Sequence, residues 1–139
     1  MRLVFDTNVL VSALITPKGT ARRSIDAAIH STAIVLYDER ILLEYAEVTT
    51  RAKFRGKYPP NAPRELLLAL LARSESVVGS PSDLVLPDPT DAPFLEVAIA
   101  GQADAIVTGN AKHYPASSGV PIFSPQDLVR RLHQQRPDR

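Results

Sequence analysis

Short runs of consecutive apolar residues alternate with longer amphipathic segments along this chain of 139 residues. An apolar run bounded by turn residues is typical of a buried strand, whereas apolar positions spaced three and four apart are typical of a helix. The pattern predicts strands at 3–5, 33–37, 105–108 and 120–123, and short extended segments at 77–78 and 84–86. It predicts helices at 9–15, 20–31, 39–53, 64–74, 92–101 and 124–133.

Strands that are apolar throughout and alternate with helices predict a parallel sheet that is covered on both faces. The length fits one domain over residues 1–139, and we expect 134–139 to be a frayed tail. In open α/β sheets, ligands bind beyond the carboxyl ends of the strands. Polar residues that directly follow a predicted strand are therefore the first candidates for a functional site.

The composition narrows the possible chemistry of such a site. The chain is 45% apolar and 22% charged, as is ordinary for a soluble protein, and it contains no cysteine. Disulfides, thiolate metal sites and a thiol nucleophile are therefore excluded, while an oxygen-rich Mg²⁺ or Mn²⁺ site remains open. No apolar run approaches the roughly 20 residues of a membrane span, and the N-terminal apolar stretch is too short for a signal peptide. We therefore expect a cytoplasmic protein without a membrane partner.

Four carboxylates stand beside core segments, where burial is costly unless a cation or hydrogen bonds compensate it. They are Asp6, Glu44, Asp88 and Asp91. Asp6 follows the first predicted strand, and the pair Asp88 and Asp91 follows the extended segment 84–86. Their convergence would make a site for a hard divalent metal. Each acid also has a simpler interpretation: Asp6 and Asp91 as helix caps, Asp88 as part of an Asx turn, and Glu44 as a carboxylate at the margin of an apolar stripe.

Other charged positions carry weaker predictions. Glu47 and Glu96 project away from the apolar faces of their predicted helices, so we expect both to be solvated. His113 follows the loop that begins at Asn110, where it could reach a phosphate, but a surface histidine is the simpler expectation. A basic cluster interrupts the near-neutral net charge of +1, and it either forms a solvated face or meets an anionic partner. Its members are Arg51, Lys53, Arg55 and Lys57.

The order of these motifs resembles the PIN domain nucleases, in particular their bacterial toxin-like (VapC-type) branch. The resemblance rests on segments 4–10, 88–95, 105–110 and 120–125 and on Glu44 in the helix after the second strand. It implies a three-layer α/β/α sandwich with a central, mainly parallel sheet. It also implies an acidic cluster that binds Mg²⁺ or Mn²⁺, and cleavage of single-stranded RNA.

The resemblance assigns roles to individual residues. Asp6, Glu44 and Asp91 match the catalytic, metal-binding acids, and Asp88 is a further candidate ligand beside the third acid. The supporting polar residues are Asn8, Thr108 and Asn110. Many PIN nucleases have an aspartate where this chain has Asn110, and the amide brings no charge to a second metal position. The basic cluster would hold RNA phosphates.

The family also implies a small antitoxin partner and a homodimer, for which the leucine-rich stretch 66–71 offers an apolar surface. Two alternatives stay open. One is a PIN-like module that binds RNA or protein but is catalytically weak or inactive, which Asn110 would favour. The other is an acid-cluster phosphatase or receiver-type domain, although the phosphatases generally have a second aspartate where this chain has Asn8.

Overall fold

A five-stranded parallel sheet forms the centre of the computed structural model, which describes residues 1–135. The strands stand in the order β3-β2-β1-β4-β5. They are β1 Arg2–Phe5, β2 Ile34–Tyr37, β3 Ser74–Ser76, β4 Ala105–Val107 and β5 Ile122–Phe123. The helices are α1 Thr7–Ile15, α2 Thr20–Ile29, α3 Glu39–Thr49, α4 Ala62–Leu71, α5 Ala92–Ala100 and α6 Pro125–Gln134.

The two central strands explain why the sheet needs helices on both sides. Leu3, Val4 and Phe5 are all fully buried, as is every residue of β4. Successive side chains of a strand point to opposite faces, so a strand that is buried at every position must be covered twice. The three-layer α/β/α sandwich and its parallel sheet are therefore confirmed.

The edge of the sheet differs from the prediction. The third strand is the polar segment Ser74–Ser76, and the apolar segments 77–78 and 84–86 are not strands. Val78 is 89% exposed and Val85 is 90% exposed. An edge strand is held by backbone hydrogen bonds to a single neighbour, so its pairing does not require apolar side chains. Asp88 and Asp91 consequently do not lie at the end of a strand.

Two helices are shorter at their carboxyl ends than predicted. The α3 helix ends at Thr49 instead of continuing to position 53, and the hydroxyls of Thr49 and Thr50 bond to carbonyls one turn earlier. Such bonds compete with continued helix. The α4 helix starts at Ala62 and ends at Leu71, because β3 begins at Ser74. Of the tail expected at 134–139, Gln134 closes α6 and 136–139 lie outside the described residues.

Within residues 1–135, no helix has the length and apolar character that crossing a membrane requires.

Candidate metal centre

Asp6 lies at the junction of β1 and α1 and is 4% exposed. One carboxylate oxygen, Oδ1, accepts from the backbone N–H of Asn8 at 3.4 Å and so caps α1. The other, Oδ2, accepts from the Thr108 hydroxyl at 2.9 Å and from the Tyr114 hydroxyl at 3.3 Å. Asp6 is therefore a helix cap and also the centre of a buried polar cluster that joins the ends of β1 and β4.

Asp91 ends a single turn of 3₁₀ helix, Pro89–Asp91, that leads directly into α5. The residue is 7% exposed. Its Oδ2 lies 2.9 Å from Nδ1 of His113, but the two atoms do not meet the geometry of a hydrogen bond. Among the described residues, this oxygen is the one buried side-chain polar atom without a hydrogen-bond partner. Such an oxygen is costly to bury and suits coordination to a cation.

Asp6, Asp91 and His113 each bring one potential ligand atom to a common point, and the three atoms lie within 4.8 Å of one another. The Asn110 amide nitrogen can only donate, so at 2.8 Å it makes Nε2 of His113 the acceptor. In that tautomer the proton of the neutral ring is on Nδ1, facing Asp91. To bind a cation through Nδ1, the ring must carry its proton on Nε2, with the Asn110 amide turned so that its oxygen accepts that proton. The side chain of His113 is 31% exposed, so the expected surface position holds in part. Sequence reasoning missed its approach to Asp91, for which its position just after the β4 loop was the available signal.

Glu44 lies beside this group without belonging to it. The residue is partly buried on α3 and accepts a hydrogen bond from the Thr7 hydroxyl at the start of α1. Burial raises the pKa of Glu44, the bond from Thr7 opposes that rise, and the charge of Asp6 adds to it. A carboxyl group with a raised pKa beside a carboxylate cluster is suited to accepting a proton.

Asp88 has a more local role in the structure. Its Oδ1 accepts from the Thr90 backbone N–H at 3.0 Å and from the Thr90 hydroxyl at 2.7 Å. These bonds cap the 3₁₀ turn and lower the pKa of Asp88. Asp88 is not one of the three grouped residues, so the turn interpretation accounts for the contacts it makes.

Burial and neighbouring charges act together on Asp91. Burial and the charge of Asp6 raise the pKa of Asp91 to about 6, while His113 opposes the rise. Burial also raises the pKa of Tyr114, so its hydroxyl stays protonated and donates to Asp6. Carboxylates brought together in this way are stabilised by a bound divalent cation. The donor set of two carboxylates and one imidazole fits Mn²⁺, and it fits Mg²⁺ through the carboxylates.

The basic cluster forms an exposed turn after α3. Arg51 is bound to Glu47 at 2.8 Å, whereas Lys53, Arg55 and Lys57 are exposed. The expected solvation of Glu47 is confirmed, because its side chain is 62% exposed. Three exposed cations on one turn make an anionic partner possible there, and Arg51 would first have to leave Glu47.

Glu96 is buried, so the expectation that it is solvated is wrong. It accepts from Nη1 of Arg40 at 2.7 Å and from the Ser82 backbone N–H at 3.1 Å. Arg40 also binds Asp38 at 2.7 Å. Helical projection placed Glu96 opposite the apolar face of α5, but α3 and the loop before α5 cover that side as well.

Comparison with known proteins adds to these observations. A family model described as PIN domain matches residues 2–112. The uncharacterized protein MJ1680 of Methanocaldococcus jannaschii is 32% identical over 112 residues, which cover 79% of this chain and 71% of that protein. The crystal structure of VapBC2 from Rickettsia felis bound to a DNA fragment from their promoter superposes with a TM-score of 0.61. That similarity has 17% identity and covers 89% of this chain and 98% of the other, so it shows a common fold.

Proposed function

This chain belongs to the PIN domain family, and on that premise we propose that it is a metal-dependent endoribonuclease that cleaves single-stranded RNA. The observation that carries the proposal is the group formed by Asp6, Asp91 and His113, in which a buried Asp91 oxygen has no hydrogen-bond partner within residues 1–135. A site arranged in this way suits a divalent cation. Membership of the PIN family leaves the phosphatase and receiver-domain alternatives without support.

Each residue of the site has a role that its contacts support. Asp6 and Asp91 would hold Mg²⁺ or Mn²⁺, and His113 would be a further ligand. Asp88, whose charge acts on Asp91, would assist directly or through a water. A divalent cation at such a site polarises a phosphoryl oxygen and lowers the pKa of a coordinated water. Glu44, held by Thr7, would orient the attacking water and accept its proton as that oxygen bonds to phosphorus. The bond from phosphorus to the leaving oxygen would break in the same displacement, and solvent would protonate the leaving oxygen.

Polar residues around the acids would keep this geometry fixed. Thr108 donates to Asp6 and in turn accepts from the Asn110 backbone N–H at 3.1 Å. The backbone N–H of Asn8 donates to the other carboxylate oxygen of Asp6, Oδ1. These bonds restrict the rotation of the Asp6 carboxylate. Metal binding requires a ligand that is held in one orientation.

The exposed cations after α3 would bind the RNA backbone. Lys53, Arg55 and Lys57 are exposed, and the ammonium of Lys53 lies over the Phe54 ring at 5.1 Å. Contacts from such cations to phosphates fix the position of a strand without reading its sequence. We propose that Arg51 joins them by exchanging Glu47 for a phosphate.

We further propose that the protein is the toxin of a toxin–antitoxin pair, located in the cytoplasm. A small antitoxin and a second copy of the chain would be its protein partners. The R. felis VapBC2 structure supports this through its common fold. Leu43 on α3 and Leu68 on α4 are 62% and 56% exposed, whereas Leu66 and Leu70 are buried. Part of the stretch 66–71 is thus available to a partner.

The decisive experiment measures cleavage of a labelled panel of single-stranded RNAs with Mn²⁺, with Mg²⁺ and with EDTA. Asp6→Asn and Asp91→Asn should abolish the metal-dependent cleavage. Asp83→Asn is the matched control, because Asp83 is exposed and lies outside the cluster. Cleavage that survives EDTA and both cluster substitutions would overturn the proposal.

A catalytically weak or inactive binding module is the second candidate. It is favoured by Asn110, an uncharged residue whose amide bonds to His113 instead of remaining free for a cation. Binding of Mn²⁺, followed by electron paramagnetic resonance, separates the two candidates. Tight binding that Asp91→Asn removes supports the nuclease, whereas weak binding together with retained RNA affinity supports the inactive module.

A further inference from the structure

A cleft of about 280 Å³ opens beside the acid cluster, between α1, α2, the loop after β4 and the start of α6. Its polar lining comes from Asn8, Ser12 and Asn110. Apolar surface from Ala21 and Pro125 completes it, and Val9, which is 1% exposed, lies beneath. The cleft is thus distinct from the acid cluster but adjoins it.

Two hydrogen-bonded paths connect the cleft to Asp6. Asn8 donates its N–H to Oδ1 of Asp6, while its side chain lines the cleft. On the other side, Asn110 donates its N–H to the Thr108 hydroxyl, which donates to Oδ2 of Asp6. A ligand in the cleft would therefore lie next to any group that is bound at the acids.

The lining indicates which chemical class of ligand fits. None of the lining residues is charged, so the cleft offers no countercharge to a phosphate. Within residues 1–135, the side chains of Asn8 and Ser12 have no hydrogen-bond partner, so their donors and acceptors are available. Amide and hydroxyl groups beside a small apolar surface suit a flat, neutral heterocycle that carries donors and acceptors on its edge.

We propose that this cleft is a nucleobase-binding subsite, which holds the base next to the scissile phosphate and selects it through Asn8 and Asn110. Bases of single-stranded RNA are unstacked, so they can enter such a cleft and expose their edges to side chains. The position relative to the scissile bond rests on the proposed function. The binding of a base to the cleft is independent of the proposed function, and it can be tested without cleavage.

Gly109 offers a variant that adds bulk at the cleft wall without disturbing the core. It lines the cleft, and a Cβ atom at this position would meet no heavy atom within 4 Å. Its φ is not positive, so a side chain is also compatible with its backbone. Gly109→Val should therefore fold normally, and we expect the added side chain at the cleft wall to hinder a ligand. Ser117→Val is the matched control, because Ser117 is exposed and lies outside the cleft.

The test titrates the four ribonucleosides, which carry no phosphate, into the metal-free protein and follows backbone amides by NMR. We expect saturable shifts at Asn8, Gly109 and Asn110, larger for some bases than for others. Gly109→Val should weaken this binding by about tenfold or more, and Ser117→Val should leave it unchanged. Asn8→Ala should reduce the difference between bases, because the amide that reads the base edge is gone.

Two results would overturn the subsite: no nucleoside shifting these amides, or Gly109→Val binding nucleosides as the wild type does. A panel of RNAs that differ at one position adds the link to cleavage. If the wild type and Gly109→Val cleave with the same base preference, the subsite has no role beside the scissile bond. If nucleosides bind as expected but no RNA is cleaved, the subsite stands and the nuclease proposal fails.

Discussion

Replacing Asp91 by asparagine should stabilise the metal-free protein while removing its metal site. The pKa of Asp91 rises from 3.8 to about 6 because the residue is buried and faces Asp6. At a pH between 3.8 and about 6, the folded state binds more protons than the unfolded state. The free energy of unfolding therefore falls as the pH rises through this range. At about 1.4 kcal/mol for each pH unit, the penalty at neutral pH is about 3 kcal/mol. An amide removes the charge but keeps a polar group, so we expect a gain of about 1–3 kcal/mol.

Thermal unfolding measures this gain directly. For a chain of this size, about 1–3 kcal/mol corresponds to an increase in Tm of about 3–10 °C. At about pH 4.5 much of the penalty is already relieved by protonation of Asp91, so the advantage of Asp91→Asn should shrink to about a third. Asp83→Asn, at an exposed site, should leave Tm unchanged at both pH values.

Addition of Mn²⁺ should make the wild type more stable than Asp91→Asn. A cation that binds only the folded state adds about 4.1 kcal/mol at a thousand times its Kd, which exceeds the expected advantage of Asp91→Asn, and the wild type alone should gain this. The reasoning is refuted if metal-free Asp91→Asn is no more stable than the wild type at neutral pH. It is also refuted if its advantage is the same at both pH values.

Three further outcomes test other contacts. His113→Gln should weaken Mn²⁺ binding by about tenfold or more, as measured by electron paramagnetic resonance, and unchanged affinity would remove His113 from the ligand set. Tyr45→Phe removes a buried hydrogen bond to the Phe5 carbonyl and should cost about 1–2 kcal/mol in urea unfolding; a smaller loss would mean that the bond contributes little. The double variant Lys53→Ala, Lys57→Ala should reduce the log–log slope of the salt dependence of single-stranded RNA binding by about 1.4, whereas an unchanged slope would exclude both from phosphate contact.

The sequence by itself determined the centre of the fold and part of the site. The runs at β1 and β4 are apolar at every position, which only a strand covered on both faces accommodates. Asp6 was predicted because it directly follows such a strand, where a carboxylate needs compensation. The local reason for predicting Asp91 was wrong, since the segment 84–86 before it is not a strand. The family resemblance also predicted Asp91, and the structure brings it close to Asp6 and His113.

The tertiary structure alone decided the contacts between distant segments. Thr108 and Tyr114 bond to Asp6 across 102 and 108 positions of sequence, and His113 meets Asp91 because two loops converge at one edge of the sheet. Glu96 is buried because Arg40 approaches from another helix. Periodicity describes one element at a time, and local spacing contains no information on which elements pack together. The burial and charge of a side chain depend on that packing, so they became known only from the folded chain.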